Sequence, residues 1–246
     1  MRRTSAAGLG AAVLCLALVA AALAPAQQGA RPAAAPEVIG NSVNGAPIEA
    51  VQLGDPAGGR VGLVVGVIHG DERAGLRVTR LLRKRHPGLD GAQLWVIDAV
   101  NPDGLRAGTR KNAMAVDLNR NFPFRWRGGG LRGDPYYSGP APASEPETQA
   151  VMRFAERVKP DVSVWYHQDW NAVLACPGPK SAARYARLVG MKTSCRGKRL
   201  RGTAISWEQH AIRGASAFVV ELPGGKLNGR AARRHARAAI EVTKGS

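Results

Sequence analysis

The 246-residue sequence is poor in cysteine, aromatic side chains and acid. Aromatics make up 5%, so it lacks the aromatic-interleaved basic patches on which single-strand nucleic-acid binders stack bases. No nucleic acid is expected as a partner. Beyond the first 26 residues no apolar run approaches membrane-spanning length, and neither an internal repeat nor a second domain is visible. Acid is scarce: 18 Asp+Glu stand against 35 Lys+Arg, a formal charge of +17. Such a charge points towards an anionic partner. Yet Arg outnumbers Lys 27 to 8 and Ala abounds, as a GC-rich coding sequence also produces, so charge alone selects no function. With 45% hydrophobic residues the chain can bury a core, which excludes global disorder.

The N-terminus has the parts of a secretory leader. Arg2 and Arg3 precede an apolar stretch from Ala6 to Leu23, and Ala24-Pro25-Ala26 forms a small-residue cleavage site. Residues 1–26 are therefore expected to be a signal peptide, 27–36 an Ala/Pro-rich linker and 37–246 one catalytic domain. The mature chain would be secreted or held in a bacterial periplasm or cell envelope, with no transmembrane segment after cleavage. Of the three cysteines Cys15 leaves with the leader. In an oxidising compartment the remaining pair, Cys176 and Cys195, is expected to form a disulfide.

After the linker, Asn44-Gly45 separates two short strands and reads as a hairpin turn. VGLVVGVI (61–68), LWVIDAV (94–100), DVSVWY (161–166) and AFVVEL (217–222) read as strands. Helical spacing marks 73–85, 144–158, 181–190 and 228–242. Ser144 and Glu147 fit a capping box for the second of these helices, and Asn228 a cap for the last. Alternating strands and helices predict an α/β fold, a mostly parallel mixed sheet flanked by helices.

Polar residues collect where the apolar strands end. The first strand leads into His69 and Glu72, DVSVWY into His167, and AFVV into Glu221. LWVIDAV leads into Asn101-Pro102-Asp103-Gly104. In open α/β sheets the ligand crevice lies beyond the carboxyl ends of the strands. His69, Glu72 and His167 form a two-imidazole, one-carboxylate set of the kind that holds catalytic zinc with one position left open. Zinc at such a site makes water a nucleophile near neutral pH, and Glu221 is the spare carboxylate at the same edge.

With these residues in place, the sequence resembles the zinc-carboxypeptidase family of metallopeptidases, and within it a short bacterial branch that includes murein peptide amidases. The stretches that carry the likeness are VIHGDERAG (67–75), NPDGLRAGTRKNAMAVDLNRNFP (101–123), YYSGPAPASEPETQA (136–150), WYHQ (165–168) and GTAISWEQHAIRGASAFVVELPGG (202–225). The resemblance implies a phosphorylase/hydrolase-like fold and one Zn2+ on His69, Glu72 and His167. It implies Glu221 as general base for zinc-activated water, and Arg110 as the cation that polarises the scissile carbonyl. Asn119 and Arg120 are implied to clamp a terminal carboxylate, with Asp117 orienting a zinc-binding histidine. A mobile tyrosine of the digestive members has no counterpart: its position falls at Lys198. Ile205 falls near the specificity pocket.

The expected function is hydrolysis of a peptide amide near a free carboxylate, on cell-wall (murein) peptides or on ordinary peptides, by a monomer. A zinc deacylase of N-acyl amino acids, like succinylglutamate desuccinylase or aspartoacylase, shares the metal logic. A basic module binding the anionic cell envelope is the alternative from another class. His86 and His235, in or beside basic helical stretches, are expected to be solvated.

Overall fold

The computed structural model describes residue 1 and residues 35–245, apart from 85–87, 90, 129, 175–177 and 197–200. The expected leader and most of the linker lie outside these residues. The hairpin is present: β1 (Glu37–Asn41) pairs antiparallel with β2 (Pro47–Gly54). Its turn uses Gly45 at φ 79°, a conformation open to a residue without Cβ. β3 (Arg60–Val67), β4 (Ala92–Ala99), β5 (Val162–Leu174), β6 (Lys192–Ser194) and β7 (Ser216–Pro223) complete the sheet. The order is β1-β2-β4-β3-β5-β6, with β7 also on β5. β3 pairs parallel with β4 and β5, and β7 pairs parallel with β5, so the sheet is mixed and mostly parallel, as expected.

The strands in the middle are apolar on both sides because both sides are covered. Val64, Val164 and Val220 pack against α1 (Gly75–Lys84), α4 (Lys180–Val189) and α6 (Gly229–Lys244). Leu63, Val65, Trp165 and Val219 face the other way, into the layer that holds α3 (Pro146–Val158) and α5 (Ala204–Ala211). A short α2 (Pro102–Ala107) follows β4. No helix among the described residues is long and apolar enough to cross a membrane.

Three local expectations change. β5 does not stop at Tyr166 but runs to Leu174. Its register against β7 breaks between Asp169 and Ala172, so that Ala172–Leu174 lie again beside Glu221–Val219. The Ser144–Glu147 capping box does not form. Glu145 precedes α3 with no side-chain cap, and the Ser144 hydroxyl donates to Glu145 Oε1 at 2.7 Å. Glu147 turns inward, where it accepts from the Val43 N–H at 3.0 Å and from Asn112 Nδ2 at 3.1 Å. Hydrogen bonds to the donors of Val43 and Asn112 replace the local cap. His235 is buried rather than solvated. Its Nδ1 lies 2.8 Å from the Tyr185 hydroxyl, and burial pushes its pKa down to about 4. His86 lies outside the described residues. The Asn228 cap does form, its side chain accepting from Ala231 N–H at 2.9 Å.

Candidate metal centre and catalytic cavity

His69 leaves the end of β3 in a turn closed by the Glu72 N–H on the His69 carbonyl, 3.0 Å. The turn lies so close to α2 that a Cβ at Gly70 would meet the Gly104 backbone at 2.0 Å. A Cβ at Gly75 would meet the Gly66 carbonyl at 2.1 Å, which is why α1 can start directly under the sheet. His167 is the point on β5 that faces Glu221 of β7 in register. Strand pairing therefore brings together two residues 54 positions apart in sequence.

The ligand atoms of His69, Glu72 and His167 all lie within 4.8 Å of one another. The two imidazole Nδ1 atoms are 3.1 Å apart. Glu72 bridges them, Oε1 at 2.9 Å from His69 Nδ1 and Oε2 at 2.8 Å from His167 Nδ1. On its far side His69 Nε2 meets Asp117 Oδ1 at 3.0 Å. With a cation bound, that contact would keep the ring proton on Nε2 and free the Nδ1 lone pair as a ligand. Two buried ring nitrogens this close, beside a carboxylate, make a donor set completed by a cation. The residues fit one Zn2+.

Electrostatics follow the same geometry. Burial opposes charge on His69, but Asp117 and Glu72 outweigh it and raise its pKa. For His167 burial wins and the pKa falls. Burial disfavours the Glu72 carboxylate, yet the two histidines hold its pKa well below the usual range. Asp117, fully buried, is likewise held low by His69 and Arg110 against the cost of burial. Asp117 thus orients His69, the role the sequence suggests for it.

Arg110 sits across these acids. Its Nε and Nη2 fork onto Asp117 Oδ2 at 3.0 Å each, and Nη1 reaches Glu72 Oε1 at 3.1 Å. Arg120 is half-buried. Burial lowers its pKa, and it donates to the Asn119 carbonyl at 2.7 Å. Asn119 is more engaged than a free clamp: its Oδ1 accepts from Ala204 N–H at 3.0 Å, and its Nδ2 lies 3.4 Å from His167 Nε2. Glu221 is buried, and its Oε2 has no hydrogen-bond partner. Burial first, then the charge on Glu72, pushes its pKa up to about 7.

His69, Glu72, His167, Arg110, Asn119, Arg120 and Glu221 line one cavity of about 760 Å³, with Asp117 buried behind them. The Asp103 acid does not join them: it accepts from Asn44 N–H at 3.0 Å and pairs with Arg106 at 2.5 Å, holding α2 to the hairpin. Ile205 lines the cavity as expected, whereas Trp207 is buried against Phe122 and His210 stacks on Phe124 at 4.1 Å. Several wall residues were not anticipated. Tyr136 is exposed with its ring 5.3 Å from the guanidinium carbons of both Arg110 and Arg120. Trp170 and Arg196 meet at 5.4 Å on the same wall. Tyr136 stands inside the YYSGP stretch, a signal that was present but had no spacing rule to decode it. Cys195 also lines the cavity. Its expected partner Cys176 lies outside the described residues, as does Lys198, so the disulfide stays an expectation.

A family model described as zinc carboxypeptidase (M14 peptidases) matches residues 26–185, well over half of the chain. The chain belongs to the zinc-carboxypeptidase family. The family match ends before Glu221, whose place rests on the β5–β7 register. Among curated relatives, murein peptide amidase A of Escherichia coli K12 is 37% identical over 164 residues, 61% of this chain and 64% of that protein. The chain thus matches slightly less than two thirds of that relative's length. Among solved structures, the murein-tripeptide amidase of Escherichia coli O157 aligns with TM-score 0.72 and 27% identity over 87% of this chain and 93% of that one. Carboxypeptidase A of Helicoverpa armigera shares the fold at TM-score 0.72 and 17% identity, over 87% and 70%.

Proposed function

We propose that this chain is an exported zinc amidase that cleaves a peptide bond next to a free carboxylate, with cell-wall (murein) peptides as its substrates. The observation that carries the reading is that Glu221, with one buried carboxylate oxygen left unpartnered, lines the same cavity as the His69, Glu72 and His167 donor set. Leaving a buried acceptor without a partner costs about 1–3 kcal/mol, a cost that a reacting group in the cavity removes.

Zinc held by the triad would supply Lewis acidity, activating water and polarising a carbonyl. The residues around it do the rest. Glu221 takes a proton from the attacking water and returns it to the departing amine, a carboxylate working as base and then as acid. Arg110, fixed by Asp117 and Glu72, lines the cavity with an N–H on each Nη left over for the charge that develops on the carbonyl oxygen. Arg120, a desolvated guanidinium on the cavity wall, favours a bidentate carboxylate and sets where the substrate ends. Asn119 supports that wall through Ala204 and His167 more than it reaches into it.

Murein peptides as substrates, and export by the leader, are supported by the likeness to the two amidases and by the Arg2-Arg3 leader pattern. The test is mass spectrometry of products from the zinc-loaded protein given muropeptides, ordinary C-terminal peptides and N-acyl amino acids side by side. Release of the residue bearing the free carboxylate from muropeptides is the expected result. Cleavage of N-acyl amino acids alone would move the chain to the deacylase reading.

A further inference from the structure

The face of the sheet opposite α5 carries charge that the fold itself does not use. On α6, Arg230, Arg233, Arg234 and Arg237 follow the spacing of one helical face, and all four are exposed. On α1, Arg77 and Arg80 are exposed while Val78, Thr79 and Leu82 turn inward. α1 and α6 both follow parallel strands, pack against the same layer of the sheet and leave from its catalytic edge. Their two arginine rows therefore lie side by side. They close on each other at Gly229: Arg77 Nη2 and Arg233 Nη1 both come within 3.5 Å of the point a Cβ would occupy there.

Some arginines elsewhere are paired, although Arg125, Arg132 and Arg213 are also exposed without an ion pair among the described residues. Arg83 meets Asp98 at 2.7 Å, Arg106 meets Asp103, Arg110 meets Glu72 and Asp117, and Arg157 meets Glu37. Among the described residues none of the six arginines on this ridge joins an ion pair. α1 contains no acid, and the single acid of α6, Glu241, is taken by Arg184 at 3.4 Å. Like charges set next to each other without counter-charges cost folding energy, and a bound polyanion removes that cost.

The chemistry of the ridge narrows the partner. Guanidinium forks recognise phosphate oxygens bidentately. Arginines three and four residues apart on a helix recur every ~5 Å along its axis, which suits an anion repeated along a linear chain. The exposed positions between them offer no aromatic ring for stacking bases, as single-strand nucleic-acid binders do. They offer no large apolar side chain to enter a membrane either. We infer that the α1–α6 ridge binds a linear polyol-phosphate polymer, a phosphodiester chain without bases, and holds the enzyme beside it. This inference does not rest on the hydrolytic reading, because its readout is binding.

The test uses the full chain and purified poly(glycerol phosphate), with single-stranded DNA of equal phosphate count and phosphatidylglycerol vesicles as comparison arms. The wild type is expected to bind the polyol phosphate more tightly than either, with affinity falling steeply as salt rises. The variant Arg77→Gln/Arg230→Gln/Arg233→Gln/Arg237→Gln is expected to lose on the order of a hundredfold in affinity and about 3 from the salt slope. Its hydrolysis of a small soluble substrate should be unchanged, and its thermal midpoint should not fall, because the substitutions relieve like-charge repulsion. If the fourfold variant fails to fold, the single Arg→Gln variants are read instead, each expected to remove somewhat less than one unit of slope. Equal polymer binding by wild type and folded variants overturns the inference. So does tighter binding of the wild type to DNA or to vesicles.

Discussion

Two buried carboxylates, Glu221 and Glu208, have the same pKa and opposite surroundings. Burial pushes both up to about 7. Glu221, near the end of β7, lines the cavity with one oxygen unpartnered. Glu208 sits in the α5 layer, fully buried, accepting from Ser163 Oγ and from Trp165 Nε1 at 3.1 Å. A raised pKa therefore marks burial in both and the proposed catalytic role in only one. What separates them is an oxygen left without a partner on a wall shared with a donor set for a metal.

The comparison breaks most visibly by removing each acid. Glu221→Gln is expected to lower kcat by about 10²–10⁴ with zinc content unchanged, while Glu208→Gln keeps turnover near wild type. Steady-state kinetics with metal analysis of both proteins checks this. His69→Ala should lose the metal as well as activity, which separates holding the ion from working beside it.

The two acids also differ in what pH does to the fold. A Glu208 pKa raised from 4.5 to about 7 means the unfolded chain gives up its proton first as pH rises. Stability from this group is present below pH 4.5 and is lost as pH climbs through about 7, at most roughly 3 kcal/mol. Glu208→Gln can keep both contacts without a titrating proton, its oxygen accepting from Trp165 Nε1 and its amide donating to the Ser163 hydroxyl. Denaturant melts from pH 4.5 to 7.5 should show a flatter decline for this variant than for wild type; parallel declines would mean that Glu208 is charged in the folded protein.

Smaller effects sharpen the picture of the cavity and of the scaffold. Arg120→Ala is expected to raise KM for substrates with a free terminal carboxylate by about ten- to a hundredfold, and to change little for amidated ones. Asn228→Ala should cost about 1 kcal/mol of stability through the lost α6 cap and leave activity alone, measured by denaturant midpoint and assay.

Much of this was legible in the sequence where a local rule applied. Short β-rich apolar runs flagged β3, β4, β5 and β7, and Asn44-Gly45 flagged the hairpin. Residues that follow strand ends flagged the metal set, because an α/β sheet places those ends together. Long-range physics hid the remainder. The pairing of His167 with Glu221 depends on strand register, and the extension of β5 past Tyr166 on its pairing with β7 and β6. His235 looked solvated because arginines flank it, yet its own position on α6 turns towards Tyr185. Ser144 had the pattern of a cap, but Glu147 found buried partners at Val43 and Asn112. Tyr136 and Arg196 reach the cavity from loops whose course no periodicity records.

The most direct test of the zinc-amidase account is chelation and reconstitution, with metal content and turnover read on one sample against paired free-acid and amidated substrates. The account predicts one zinc per chain and turnover that vanishes with the metal and returns with it. It also predicts cleavage of the free acid far ahead of the amide. Full turnover by the metal-free protein, or equal cleavage of both substrates, would contradict it.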